Sequence, residues 1–211
     1  MFNKVYSFRA SVPIPNSIPP DIVVRALQKP ENLLDLGSLM HTYNQIPTES
    51  LPEKVRNDTA HFSRFASTSP VIAYEVTDTI HMIPGAGPWA TKFIKFFARF
   101  QNLSNGIRAY VNASAGVNVR SEYRVDFKEV SVAKANNGQQ EQPIESGWYL
   151  VEKSAVECFA LMMPLVAWNL EASHKGLLEE LLAKVEAEQG QAEQGQSKGS
   201  GDTPPQKGYY A

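Results

Sequence analysis

The sequence predicts an α+β protein in which a curved antiparallel sheet wraps around one long C-terminal helix. Several segments alternate apolar and polar residues with period two, which is typical of antiparallel strands with one wet face. Two short helical segments lie near the N-terminus, and one long amphipathic segment follows the last strand. An apolar sheet face has to be covered, and the C-terminal helix has the right length to cover it.

The N-terminal part contains the first strand and the short helices. KVYSFRASVPI alternates throughout and predicts a half-buried strand. DIVVRALQKPENLLDLG follows with apolar residues at helical spacing, and Pro30 is expected to divide it into two helices because proline lacks the N–H that a helix needs. LMHTYNQI and PVIAYEVTDTIHM are the next strand candidates. Residues 47–69 between them are mostly polar and are interrupted by prolines, so they predict a long connection or a weakly paired hairpin.

The middle of the chain contains one ambiguous segment. The apolar residues of WATKFIKFFARFQNL suit either a helix or a strand, and the SNG that follows favours a strand, because Asn-Gly promotes tight hairpins. In the strand interpretation Phe97 alone points outward and marks a partner surface or a ligand mouth. IRAYVNAS, VNVRSEYRVDF and GWYLVEKSAVEC are the remaining strands. The antiparallel meander therefore runs up to the long helix, which starts near Pro164.

The chain is predicted to form one domain and a tail. Residues 1–187 carry all the periodic segments, and 187 residues are enough to bury a core. From residue 188 to residue 211 the sequence repeats AEQGQ, is rich in Gly, Gln and Ser, and loses its apolar periodicity. That composition predicts a disordered polar tail.

Composition and charge exclude several classes of function. The formal net charge is −2, which gives no nucleic-acid footprint. A single cysteine excludes an internal disulfide framework and a cysteine-based zinc site, and the four histidines show no metal spacing, so neither a metal nor another cofactor is expected. The N-terminus carries charges and alternates, unlike a signal peptide or a membrane span. We therefore expect a cytoplasmic protein without integral membrane association.

Three stretches carry a resemblance to a known family: VPIPNSIPPDIVVRALQKPENLLDL, NGIRAYVNASAGVNVRSEYRV and LVAWNLEASHKGLLEELL. They frame residues from about 3 to 187. With the order of elements, they resemble the helix-grip fold of the START-like superfamily, which includes polyketide cyclases, and more narrowly a fungal START-like family known only as a domain of unknown function. The resemblance implies a helix-grip START-like fold and a tendency to bind hydrophobic ligands. It implies no catalytic residues, and fold does not settle function.

Two carboxylates interrupt apolar strand faces and are the candidate catalytic residues. Glu152 shares a face with Leu150 and Val156, and Asp78 shares one with Tyr74. A carboxyl group in an apolar cavity has a raised pKa and can donate or accept a proton. The alternatives are that a bulge turns Glu152 outward or an Arg or Lys pairs with it, and that Asp78 reaches water near a strand end.

The candidate ligand-binding residues are aromatic and hydroxyl side chains on the faces predicted to be concave. They either orient a ligand in an apolar pocket or pack in the core with satisfied hydroxyl groups. His174, by contrast, stands near Glu171 and Lys175 on the long helix, so a solvated position is expected. The candidate ligand-binding residues are Tyr74, Phe96, Phe100, Ser121, Tyr123, Trp148 and Trp168.

Three functions follow from this pattern. The leading hypothesis is the binding of a hydrophobic small molecule, such as a lipid, a sterol or a polyketide or terpenoid-type metabolite, in an internal cavity. The alternative is a cofactor-free cyclase or isomerase of secondary metabolism, in which Glu152, with Asp78 or Tyr123, moves protons. The third is a protein-interaction module that uses the tail or the surface at Phe97.

Overall fold

The computed structural model describes residues 2–36, 40–57, 61–62, 69–81, 91–113, 116–129, 146–161 and 163–198 of the 211-residue chain. A 3-10 turn at Thr48–Ser50 precedes the shortest helix. In chain order the elements are β1 (Asn3–Pro13), α1 (Pro20–Leu27), α2 (Pro30–Asp35), β2 (Met40–Ile46), α3 (Glu53–Arg56), β3 (Val71–His81), β4 (Thr91–Leu103), β5 (Gly106–Asn112), β6 (Asn118–Lys128), β7 (Gly147–Phe159) and α4 (Met163–Lys198).

The seven strands of the described residues form one antiparallel sheet in the order β1-β7-β6-β5-β4-β3-β2. The predicted α+β class is therefore confirmed, and the ambiguous segment is the strand β4. Pro30 divides the N-terminal helical segment as predicted, since it begins α2 three residues after α1 ends. Proline suits the first turn of a helix because the N–H it lacks would have no partner there.

The main core lies between the concave face of the sheet and the helices. β4 contributes Phe96, Ala98 and Phe100, which alternate with outward residues, so all three reach the same face. On α4, Leu178 and Leu181 are fully buried three residues apart, which is the spacing that places them on one helix face. The long helix therefore covers the sheet, as the sequence analysis predicts.

The helix α4 continues beyond the predicted end of the domain. It ends at Lys198, and residues 188–198 are helical although their composition predicts disorder. Ala, Glu, Gln and Lys are good helix formers, and extending an existing helix requires no new nucleation. Residues 199–211 lie outside the described residues, and their disorder stays a prediction. None of the helices in the described part of the chain combines the length and hydropathy that a membrane span requires.

A second apolar cluster covers part of the convex face. We call it the convex cover: Leu51, Val55 and Phe62 pack on Ala73 and Tyr110. Phe97 points to the convex face, as alternation predicts, but it is half-buried against this cluster, and its role as a partner surface or ligand mouth stays a prediction. The 3-10 turn and α3 are too short to show apolar periodicity, which is why the sequence predicted only a connection here.

Next to the convex cover, Glu122 is held by two arginines. Its two carboxylate oxygens lie 2.7 Å from Arg108 Nε and 2.7 Å from Arg124 Nε. Burial raises the pKa of Glu122, but the two arginine contacts outweigh burial and leave the pKa below its ordinary value of 4.5. A carboxylate whose pKa is lower in the folded chain stabilises the fold above the ordinary pKa, and this stabilisation is lost as the pH falls through the lowered value.

We therefore expect Glu122→Gln to lower the free energy of unfolding by about 1 kcal/mol at neutral pH, since the pair is partly screened by water. The difference from wild type should shrink as the pH falls from 4.5 through the lowered pKa of the folded chain, because the wild-type carboxylate takes up a proton there. Urea unfolding of the variant and of wild type, at neutral pH and at a pH below 4.5, measures the two differences in stability. Glu75→Gln is the control, because its partner Lys95 is 68% exposed and such pairs contribute little. An equal loss for Glu122→Gln at both pH values would contradict the prediction.

Candidate functional site

A cavity of about 250 Å³ lies between the concave face of the sheet and the helices α2 and α4. Among the described residues, nine that line it are apolar and three are polar. The lining consists of Leu33, Leu34, Phe96, Ala98, Phe100, Ala109, Val111, Val119, Ser121, Tyr123, His174 and Leu177. It is the type of mostly apolar hollow with a few polar groups in which small molecules bind.

The strand register explains why the sheet leaves space at this position. Ala98 pairs with Val111, and Ala109 pairs with Phe100, so two alanines lie on adjacent strands of the concave face. Both are almost completely buried, yet their short side chains do not fill the distance to the helices. Leu33 and Leu34 of α2 and Leu177 of α4 close the opposite side.

The polar end of the cavity belongs to a buried network on β6 and β7. Tyr123 is opposite Glu152, and Ser121 is opposite Ser154, in the pairing of these two strands. The Ser121 and Ser154 hydroxyl oxygens are 2.6 Å apart, and the Ser154 hydroxyl donates to Glu152 Oε1 over 2.5 Å. Glu152 is fully buried, and its Oε2 has no hydrogen-bond partner among the described residues.

His174 joins this network from α4, so its predicted solvated position is wrong. Its Nδ1 lies 2.7 Å from Glu152 Oε1, and its ring meets the ring of Phe8 edge-on at 5.0 Å between centroids. His174 lines the cavity, whereas Glu152 lies behind it. The sequence contained the signal, because His174 precedes Leu178 by four residues and Leu181 by seven, which places all three on the buried stripe.

Electrostatics keep Tyr123 in its protonated form. Burial, followed by the neighbouring charge of Glu152, raises the pKa of Tyr123 well above its ordinary value of 10.0. The Tyr123 hydroxyl therefore remains a hydrogen-bond donor throughout the physiological pH range. Together with Ser121 and His174 it gives the cavity wall both donors and an acceptor.

Four of the predicted ligand-binding residues line the cavity in the structure. Phe96, Phe100, Ser121 and Tyr123 lie on the cavity wall, and their contact with a ligand stays a prediction. Glu152 is connected to the cavity wall through His174 and, by way of Ser154, through Ser121.

Two predicted ligand-binding residues lie elsewhere in the fold. Trp148 is 44% exposed near the start of β7 and meets Phe127 edge-on, so it does not line the cavity. Alternation assigned its face correctly, but the strand extends beyond the region that the helices cover. Tyr74 is buried, and its hydroxyl donates to Glu31 over 2.5 Å. Burial, followed by this bond, raises the pKa of Tyr74.

Two further predicted residues cannot be placed in the site. The side chains of Asp78 on β3 and Trp168 on α4 lie outside the described residues, and their roles stay predictions. Within the described part of the chain, no group of three or more His, Cys, Asp or Glu residues is arranged to hold a metal ion.

Several solved structures are similar to this chain. Ara h 8.0201 aligns with a TM-score of 0.50 and 10% identity over 86% of this chain and 98% of its own. TTHA0849 from Thermus thermophilus aligns with a TM-score of 0.47 and 13% identity, covering 86% and 98%. A point mutant of the Thalictrum flavum norcoclaurine synthase, in complex with a transition-state analogue, aligns with a TM-score of 0.46 and 12% identity, covering 89% and 96%.

At identities this low, a structural likeness shows the fold and nothing of the ligand. For the structure with the TM-score of 0.50, that fold is the helix-grip arrangement of a sheet around a C-terminal helix that the sequence analysis expected. No curated protein matches the chain in sequence. A family model described as "Domain of unknown function (DUF7053)" matches residues 3–187, which is most of the chain. The protein therefore belongs to the DUF7053 family.

Proposed function

We propose that the protein is a cytosolic binding protein that holds a compact hydrophobic small molecule in the cavity under α4. The observation that carries the proposal is the cavity itself, a hollow of about 250 Å³ lined by nine apolar and three polar residues. Transfer of an apolar ligand from water into such a hollow is favourable by about 25 cal/mol per Å² of buried surface. The three polar groups at one end would orient the ligand.

The volume favours one of the predicted ligand classes. Typical small-molecule sites measure roughly 300–1,000 Å³, and this cavity lies just below that range at about 250 Å³. A compact ring compound of the polyketide or terpenoid type therefore suits it better than a complete lipid or sterol. Native mass spectrometry of the protein purified from its own host would show a co-purifying compact mass if this is correct.

Filling the cavity tests the proposal with a defined probe. We expect N-phenyl-1-naphthylamine, an uncharged fluorophore, to brighten when it binds to wild type. Ala109→Leu places three more carbon atoms against the cavity, because Ala109 lines it and is almost completely buried. We expect this variant to weaken probe binding about tenfold, which corresponds to about 1.4 kcal/mol.

The matched control is Ala155→Leu. Ala155 lies on β7 and alternates with the concave residues Ser154 and Val156, so its side chain is on the other face. Wild-type probe affinity is expected for this variant, and thermal unfolding of both variants checks that the fold persists. Equal probe affinity of Ala109→Leu and wild type would place the probe outside the cavity and refute the proposal.

A second candidate is a cofactor-free cyclase or isomerase on the same scaffold. One observation favours it: a histidine on the cavity wall is hydrogen-bonded to a fully buried carboxylate, His174 to Glu152. Carboxylate–histidine pairs are common in general acid–base catalysis, where the carboxylate orients the imidazole. In such an enzyme His174 would exchange the proton with the substrate. Glu152 would act on the reaction through its hydrogen bond to His174.

A further inference from the structure

We propose that the polar end of the cavity recognises a weakly acidic hydroxyl group of the ligand, a phenol or an enol, and that His174 Nε2 accepts its proton. The inference rests on the proposed binding of a hydrophobic molecule and adds the chemical class of that molecule. The group that exchanges the proton with the ligand is then the imidazole of His174, which lines the cavity, and not the carboxyl group of Glu152, which lies behind the wall.

The hydrogen bonds of His174 decide which of its nitrogens is available. Nδ1 lies 2.7 Å from Glu152 Oε1, and we assign the ring proton to Nδ1, which then donates to this oxygen. In a neutral imidazole the other nitrogen is then an acceptor. Nε2 has no hydrogen-bond partner among the described residues, and the side chain is 20% exposed. A basic nitrogen on an otherwise apolar wall matches a ligand that brings a donor.

Glu152 lies beside the imidazole ring that accepts the proton. When the ligand O–H bond breaks, its electron pair stays on the oxygen and a new N–H bond forms at His174 Nε2. The imidazolium produced lies beside the Glu152 carboxylate, with Nδ1 2.7 Å from Oε1. Ser154, which donates to the same carboxylate oxygen, fixes its orientation. Glu152 is therefore a positioning residue, and release of the ligand returns the proton.

Tyr123 can compensate the charge that develops on the ligand. It lines the same cavity as His174, and its hydroxyl stays protonated because burial and the Glu152 charge raise its pKa. The hydroxyl also interacts with Ser121 and Glu152, so it donates to an anionic ligand oxygen by turning its proton from Glu152 toward the cavity. The ligand oxygen would thus lie between a proton acceptor and a hydrogen-bond donor.

The groups around His174 come from four elements. β7 contributes Glu152 and β6 contributes Tyr123, whereas β1 presents the apolar ring of Phe8. The α2 side of the cavity is formed by leucines. Lys175, the next residue of α4, is exposed and pairs with Glu179 on the same helix. The charge that faces His174 from the sheet is therefore that of Glu152.

Two probes of similar shape separate the hydroxyl from the rest of the ligand. Nitrobenzene reports on the apolar cavity alone, and 4-nitrophenol adds the acidic hydroxyl, with an anion whose yellow colour reports the loss of the proton. We expect wild type to bind 4-nitrophenol about tenfold more tightly than nitrobenzene, the usual effect of one hydrogen bond to an ionic group. We also expect bound 4-nitrophenol to ionise at a pH about one unit lower than the free probe.

Three variants assign these effects to named residues. His174→Gln keeps an N–H donor for Glu152 but cannot accept a proton, so it should bind nitrobenzene normally and lose both the preference and the shift in ionisation. Glu152→Gln should reduce the shift, a readout that a purely structural role would leave unchanged. If either variant fails to fold, Glu152→Leu combined with His174→Leu removes the acceptor without leaving a buried charge.

The outcomes distinguish this inference from the proposed function. Failure of wild type to bind nitrobenzene would overturn both. Binding of nitrobenzene with neither a preference for 4-nitrophenol nor an earlier ionisation would overturn the inference alone. Persistence of the earlier ionisation in His174→Gln would show that another group takes the proton, and that too would overturn it.

Discussion

Replacing Gly106 by alanine is expected to lower the free energy of unfolding by about 3 kcal/mol, at the upper end of what overpacking normally costs. A Cβ added at Gly106 would lie 1.9 Å from the carbonyl oxygen of Tyr123 and 3.0 Å from the Cα of Arg124. Both atoms belong to the backbone of β6, so no side-chain rotation relieves the clash. The two strands would have to separate where Gly106 pairs with Arg124.

The substitution should also disturb the cavity. Tyr123, whose carbonyl oxygen meets the added Cβ, lines the polar end of the cavity. Urea unfolding followed by circular dichroism measures the stability change, and binding of N-phenyl-1-naphthylamine reports on the cavity.

Gly147→Ala is the matched control for this change, because Gly147 is also a strand residue but a Cβ added there would have no atom within 4 Å. We expect it to change stability by less than about 0.5 kcal/mol. Similar stabilities of the two variants would mean that β5 and β6 move apart at no energetic cost, contrary to the structure.

Gly106 lies in a hairpin that the sequence predicts correctly, but the turn rule behind that prediction does not explain why this residue is a glycine. The Asn-Gly pair correctly favoured a hairpin after β4, and the turn residues in the structure are Ser104 and Asn105. Gly106 is already the first residue of β5, where the close approach of β6 excludes a side chain. A local turn rule can find the hairpin, but the distance between strands depends on residues far along the chain.

The candidate site was predictable to the same limited extent. Alternation along β7 placed Glu152 on the concave face, because side-chain direction in a strand follows from sequence alone. The partner of Glu152 depends on how α4 crosses the sheet, which no local pattern fixes. The heptad spacing to Leu178 and Leu181 nevertheless placed His174 on the buried stripe. The solvated position expected for His174 was inferred from its acidic and basic neighbours instead of from that spacing, and it was wrong for this reason.

His174→Leu is expected to lower the free energy of unfolding by about 3–5 kcal/mol, since it leaves a buried carboxylate without its ionisable partner. Glu152 is 0% exposed, and of the two donors that contact its Oε1 only Ser154 would remain. Chemical unfolding at neutral pH measures the loss. A loss below about 1 kcal/mol would mean that the carboxylate takes up a proton or finds water readily, and that the pair is only loosely coupled.

The double variant Glu152→Leu/His174→Leu should recover most of that loss, because replacing a buried ionic pair by apolar residues of similar volume is often neutral or stabilising. Ala10 is opposite Glu152 on β1, and Leu150 precedes it on the same face of β7, so a leucine at position 152 would have buried apolar neighbours. A double variant as unstable as His174→Leu would instead identify the pair as a structural support. If the recovery occurs, the pair is not required for folding, and its presence at the wall of an apolar cavity is better explained by the ligand than by stability.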